Sequence, residues 1–142
     1  MNVEDILAQV PLFSQLSRRD LKRLAKGTVS REFSKGHVIV KEGDQALAFY
    51  LILSGRAEIV KGAGEPKPRV LNTLGPGDFF GEMALLDGYL RSASVRALED
   101  TECLLLSRWD FMAELRTSPY IAVQMLPILS RRLRELESQL AT

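Results

Sequence analysis

Glycines at 36, 43, 55, 62, 64, 75 and 77 cut the stretch from Thr28 to Leu106 into short runs. The runs are "TVSREF", "HVIVKEG", "AFYLILSG", "RAEIVKG", "RVLNTLG", "DFFG", "SASVRA" and "TECLLLS". They are rich in β-branched and aromatic residues, and none is long enough to make several helical turns. Short runs closely bounded by turn residues predict about eight strands closed into a sandwich or barrel. Within them, "KGAGEPKPR" (61–69) reads as a flexible hairpin loop, with Pro66 and Pro68 keeping an exposed edge unpaired.

Both ends read as helical. Ser17 is an N-cap for "RRDLKRLAK", with Asp20 three residues on, an apolar stripe of Leu21, Leu24 and Ala25, and Gly27 as C-cap. "VEDILAQV" runs into Pro11 and is at most a short helix. After Leu106, Ser107 caps "RWDFMAELR" with Asp110 at the capping-box position. Ser118-Pro119 then opens a helix that reaches about Leu140, with a kink expected at Pro127. The expectation is one mainly β domain over 1–142, flanked by helices at 1–27 and 107–142, with the β region at 28–106.

Composition excludes several chemistries. Hydrophobic residues at 46% and charged residues at 26% suit an ordinary globular core, and a net charge of +1 offers no basic field for nucleic acid. No apolar stretch approaches the roughly 20 residues of a membrane span, and "MNVEDILAQVPLF" lacks the basic start of a signal peptide. One cysteine, Cys103, permits no internal disulfide, which fits a reducing, cytoplasmic setting. One histidine, His37, leaves no zinc site and no metal-binding cupin, and it reads as a surface or strand-edge residue. No nucleophile-and-base constellation marks an enzyme, and no metal or resident cofactor is expected.

The chemistry concentrates at 80–93, "FGEMALLDGYLRSA". Gly75, Gly77 and Gly81 imitate a dinucleotide fingerprint, but their spacing is G-x-G-x-x-x-G and no βαβ unit follows. What remains is an anion site without a P-loop. "GEMALL" favours a single helical turn, Asp87-Gly88 reverses the chain, and Arg91 arrives beside the small residues Ser92 and Ala93. A guanidinium, a hydroxyl and backbone N–H groups make a phosphate cradle, and Glu82 would accept hydrogen bonds from hydroxyls of the same ligand. A plainer reading stands beside it: Glu82 as a first-turn acid and Arg91 as its ion-pair partner.

"FGEMALLDGYLRSASVRA" resembles the phosphate-binding cassette of the cyclic nucleotide-binding domain family, as found in bacterial catabolite activators and protein kinase A regulatory subunits. The likeness extends through "VPLFSQLSRRDLKRLA", "KGHVIVKEGDQALAFYLILSGRAEIV" and "LGPGDFFGEMALL", with Gly43 and Gly55 at family turn positions. The resemblance implies a double-stranded β-helix (jelly roll) with an N-terminal helical segment, a short cassette helix and a long C-terminal helix. It implies cAMP as ligand, with cGMP as the alternative. Glu82 would bind the ribose 2′-hydroxyl, Arg91 the cyclic phosphate and Ser92 the phosphate through its hydroxyl. Backbone N–H groups of Met83, Ala84 and Ala93 would complete the cradle. Gly81 would permit close approach to the ribose, while Val70 and Leu71 would flank the base.

One departure is visible. The Thr-Ser pair that reaches the adenine in the bacterial activators falls on Leu136 and Glu137. A base lid, if present, would come from Leu133 or Leu136, or from the guanidinium of Arg132 or Arg134. Leu126, Leu129, Leu133, Leu136 and Leu140 follow 3-4-3-4 spacing, an a/d seam suited to a parallel homodimer or to packing within the chain. Ligand binding is expected to be relayed through this helix. The sequence carries no helix-turn-helix after the seam, so the reading is a regulatory sensor that binds no nucleic acid or membrane by itself. The alternatives are a ligand-free dimerisation domain of the same fold, or the sensor piece of a larger transcription regulator, channel or kinase.

Overall fold

The computed structural model describes residues 2–140; residues 1, 141 and 142, the ends of the domain expected over 1–142, lie outside them. The elements run α1 (Val3–Ala8), a 3-10 turn (Pro11–Phe13), α2 (Arg18–Lys26), β1 (Thr28–Phe33), β2 (Val38–Val40), β3 (Ala48–Ser54) and β4 (Ala57–Lys61). Then come β5 (Arg69–Leu74), β6 (Phe79–Phe80), α3 (Ala84–Asp87), β7 (Ser94–Ala97), β8 (Thr101–Ser107), α4 (Arg108–Thr117) and α5 (Tyr120–Leu140). Each of the eight β-rich runs forms a strand. Backbone contacts divide the chain into two compact units, one of Thr28–Trp109 and one of the residues up to Gly27 with those from Asp110 onward.

The first unit is built from two four-stranded antiparallel sheets, ordered β1-β8-β3-β6 and β2-β7-β4-β5. Alternation sends Ile52, Phe80, Cys103 and Leu105 from one sheet, and Ile39, Ala57, Leu74, Val95 and Ala97 from the other, into one shared core. Antiparallel pairing sets Glu58 opposite Arg96, and the two side chains pair across the strands. Leu71 has no register partner: Val60 pairs with Val70 and Ile59 with Asn72, so Leu71 is the extra residue of a bulge. His37 is exposed and Cys103 is fully buried.

In the second unit, Asn2 caps α1 and Ser17 caps α2, each side chain accepting a backbone N–H three residues on. Gly27 occupies the C-cap of α2 with an ordinary right-handed backbone, φ −85°, so no left-handed turn is needed there. The buried face is lined by Leu7, Phe13, Leu21 and Leu24 and by Phe111, Ile121, Met125 and Ile128, with the Phe13 and Phe111 rings 6.1 Å apart. Helix α5 continues through Pro127 for 21 residues, although proline supplies no N–H for the carbonyl of Val123. No helix among the described residues is long and apolar enough to cross a membrane.

Candidate functional site

The segment 80–93 follows β6 and forms one wall of a cavity of about 390 Å³ inside the β unit. Its helix, α3, is a single turn closed by Gly88 at φ 65°, a left-handed cap that a side chain would resist. The Asp87 carboxylate accepts the Tyr89 N–H at 3.0 Å and completes the reversal. The chain then docks on the β2–β3 loop: Ala46 N–H donates to the Tyr89 carbonyl, Arg91 N–H to that of Asp44, and Gly43 N–H to that of Arg91, all within 2.9 Å. These bonds fix the backbone of Arg91 before any ligand is considered.

From that anchor the Arg91 side chain crosses the face of Gly81. A Cβ on Gly81 would collide with the guanidinium and lie 3.0 Å from the Ala48 carbonyl, and its φ is +80°. The positive φ favours glycine, and any side chain here would displace the Arg91 guanidinium. The guanidinium donates to the Ala48 carbonyl at 2.7 Å and lies 5.7 Å from the centre of the Tyr50 ring. Tyr50 is held flat against Phe80, the ring centres 4.9 Å apart. Burial pulls the Arg91 guanidinium below its ordinary value, with Tyr50 opposing the shift. Burial likewise raises the Tyr50 phenol, and Arg91 opposes it.

Among the described residues, no carboxylate pairs with Arg91. The plainer reading of the sequence, an Arg91–Glu82 ion pair, is thus not what the fold builds. A half-buried guanidinium with only a carbonyl and an aromatic face for company retains an unsatisfied attraction for an anion.

Around the same cavity stand Gly81, Glu82, Met83, Ala84, Ser92 and Ala93, so the cassette residues singled out from the sequence do converge on one space. Their donors differ from expectation in one respect. The Ala84 N–H already donates to the Gly81 carbonyl at 3.0 Å, and Leu85 and Leu86 donate to Glu82 and Met83. The turn of α3 satisfies these groups internally, so Ala84 N–H is not an open donor here. The Ala93 N–H meets no protein acceptor among the described residues. Val70 and Leu71 are both more than half exposed and lie outside the cavity lining. The apolar wall is instead made by Val40 of β2, where the pairing register shifts, and by Ile59 of β4 and Val95 of β7. Arg132, Leu133 and Leu136 lie on α5 in the other unit, the two leucines exposed and Arg132 half-buried.

Two residues of the surroundings went unread in the sequence. Lys61 donates to the Ser92 carbonyl at 2.6 Å and pairs with Glu42 at 3.3 Å. Glu42 in turn accepts the Gly62 N–H at 2.9 Å. They lie far apart in the sequence, and charged residues at loop edges ordinarily face only water, so no local signal marked them. No cluster of three or more potential ligands suited to a metal occurs among the described residues.

Residues 30–118 match the family model described as "Cyclic nucleotide-binding domain". The chain is similar to the "Cyclic AMP receptor protein" of Thermus thermophilus, 39% identical over 130 residues that cover 92% of this chain and 60% of that one. It is also similar to a "cAMP-dependent protein kinase regulatory subunit" of Emericella nidulans, 40% identical over 76% of this chain and 26% of the other. Among solved structures, the N-terminal domain of a transcriptional regulator from Streptomyces coelicolor superposes with a TM-score of 0.87 at 26% identity, covering 96% of this chain and 95% of that one. The chain thus spans about three fifths, or less, of the length of these curated relatives.

Proposed function

The chain belongs to the cyclic nucleotide-binding domain family, and from that premise we propose that it binds a cyclic nucleotide, cAMP in preference to cGMP, as a non-enzymatic regulatory sensor. The observation that carries this is Arg91: a half-buried cation without a carboxylate partner among the described residues, aimed at a cavity of about 390 Å³. That volume falls in the ordinary range for small-molecule sites, roughly 300–1,000 Å³.

In this reading the cyclic phosphate sits against Arg91, the Ser92 hydroxyl and the Ala93 N–H. Glu82 accepts from the ribose 2′-hydroxyl, and Gly81 leaves room for the sugar. The base runs along the apolar wall of Val40, Ile59 and Val95. Ser92 matches the residue that the resemblance to the cAMP-binding bacterial activator places there, which is the ground for the cAMP preference. Parallel calorimetric titrations with cAMP and cGMP test both points. Tighter binding of cGMP would reverse the preference, and binding of neither would leave a ligand-free interaction domain.

The output is assigned to α5. Leu126, Leu133, Leu136 and Leu140 are each more than half exposed along its seam, while Leu129 is half-buried. A stripe of this kind supports self-association of two copies. Sedimentation equilibrium of the wild type and of Leu133→Glu measures it. Relay of binding predicts raised amide protection at 80–93 and again within 128–140 on adding cAMP; protection confined to the cassette would remove the relay.

A further inference from the structure

Lys61 ends β4, and no step of the binding reading uses it. Its ammonium donates to the carbonyl of Ser92 at 2.6 Å and pairs with Glu42 at 3.3 Å. Glu42 is itself tied on both sides: its carboxylate accepts the Gly62 N–H, and its own N–H donates to the Ser94 hydroxyl, each at 2.9 Å. Three segments meet here, namely the end of β4, the chain after β2, and the cassette at Ser92–Ser94.

The bond to Ser92 has a consequence for the next residue. A trans peptide unit is planar, so the carbonyl of residue 92 and the N–H of residue 93 point in opposite directions. Lys61 draws the Ser92 carbonyl toward itself and so turns the Ala93 N–H away. Ala93 lines the cavity, and its N–H meets no acceptor among the described residues. We propose that Lys61, oriented by Glu42, is a positioning residue that holds the Ser92–Ala93 peptide with its N–H turned into the cavity as a donor for the ligand's anionic group. The inference rests on the binding reading above for its ligand, but not for its geometry. Preorganising a donor spares the ligand the cost of ordering it, so the effect appears in affinity rather than in fold.

The test compares the wild type with Lys61→Met, Lys61→Arg and Glu42→Gln. Binding is measured by titration with cAMP, folding by thermal melting, and the peptide directly by the Ala93 amide resonance of the ligand-free, nitrogen-15-labelled proteins. Lys61→Met is expected to weaken cAMP binding by about 5- to 10-fold, the scale of one ordinary hydrogen bond. It should move the Ala93 resonance and change the melting temperature by less than about 2 °C, because an exposed ion pair adds little to stability. Lys61→Arg keeps donor and charge and should restore binding and the resonance; Glu42→Gln should shift both in the same direction by less. An unmoved Ala93 resonance, or cAMP affinity in Lys61→Met within about twofold of wild type, would overturn the assignment. If the wild type bound no cyclic nucleotide, the functional reading would fall, while the ligand-free Ala93 resonance would still decide the role of Lys61.

Discussion

Arg91→Ala separates binding from folding in this protein, because the two effects differ in size. In the free protein the substitution removes the bond to the Ala48 carbonyl and the contact with the Tyr50 ring. A hydrogen bond from a charged group contributes about 1.5–3 kcal/mol and a cation–π contact about 0.5–1. Against these stands the desolvation of a half-buried cation that no carboxylate offsets, which costs several kcal/mol when burial is complete and less here. The opposing terms leave a change in stability of about 1 kcal/mol or less. With ligand bound, the arithmetic is one-sided. Stripping the partner from a desolvated charge costs about 2–5 kcal/mol. Since Arg91 is only half-buried, the lower part of that range applies, about 2–4 kcal/mol, or about 30- to 700-fold in affinity. Calorimetric titration with cAMP reads the second quantity and urea unfolding without ligand reads the first. Arg91→Lys, a point charge without the fork, should fall between wild type and alanine. An alanine variant that binds within about threefold of wild type would refute the phosphate role. Unfolding that costs more than about 3 kcal/mol would refute the claim that Arg91 is held for a ligand rather than for the fold.

Gly81→Ala places a side chain at φ +80° against the Arg91 guanidinium. It should destabilise the free protein by about 1–2 kcal/mol in urea unfolding and weaken cAMP binding as well, since Arg91 must move. Glu42 is held below its ordinary value of 4.5, first by the Gly62 N–H and then by Lys61, against desolvation. A depressed carboxylate contributes stability that is complete above the unfolded value and fades as pH falls through the folded one, so the stability gap between wild type and Glu42→Gln should be constant above about pH 5 and close below it. The Cys103 thiol is fully buried, and burial, aided by Glu102, pushes it up to about 11. At pH 8 a disulfide reagent should label it only as fast as the β unit opens, and labelling as fast as that of a free thiol would contradict the burial.

Much of this protein is set by local pattern. Glycine-bounded β runs become eight strands, Ser17 and Ser118 stand before helices, and the cassette residues are legible because they occupy one continuous segment in which Gly81, Arg91, Ser92 and Ala93 are neighbours by sequence. Short-range sterics and capping act over a few residues, and a sequence displays them directly. The rest depends on which distant segments meet. The pairing of β4 with β7 brings Lys61 to Ser92, while the β2–β3 loop brings Asp44, and the start of β3 brings Ala48, to Arg91. Val70 and Leu71, at the bulge in β5, lie outside the cavity lining, and the apolar wall comes from Val40, Ile59 and Val95 on three other strands. Whether Arg91 pairs with Glu82 or donates to the Ala48 carbonyl is likewise decided only by tertiary packing. Hydrogen bonds and burial are properties of atoms close in space, and chain order alone does not specify which atoms those are.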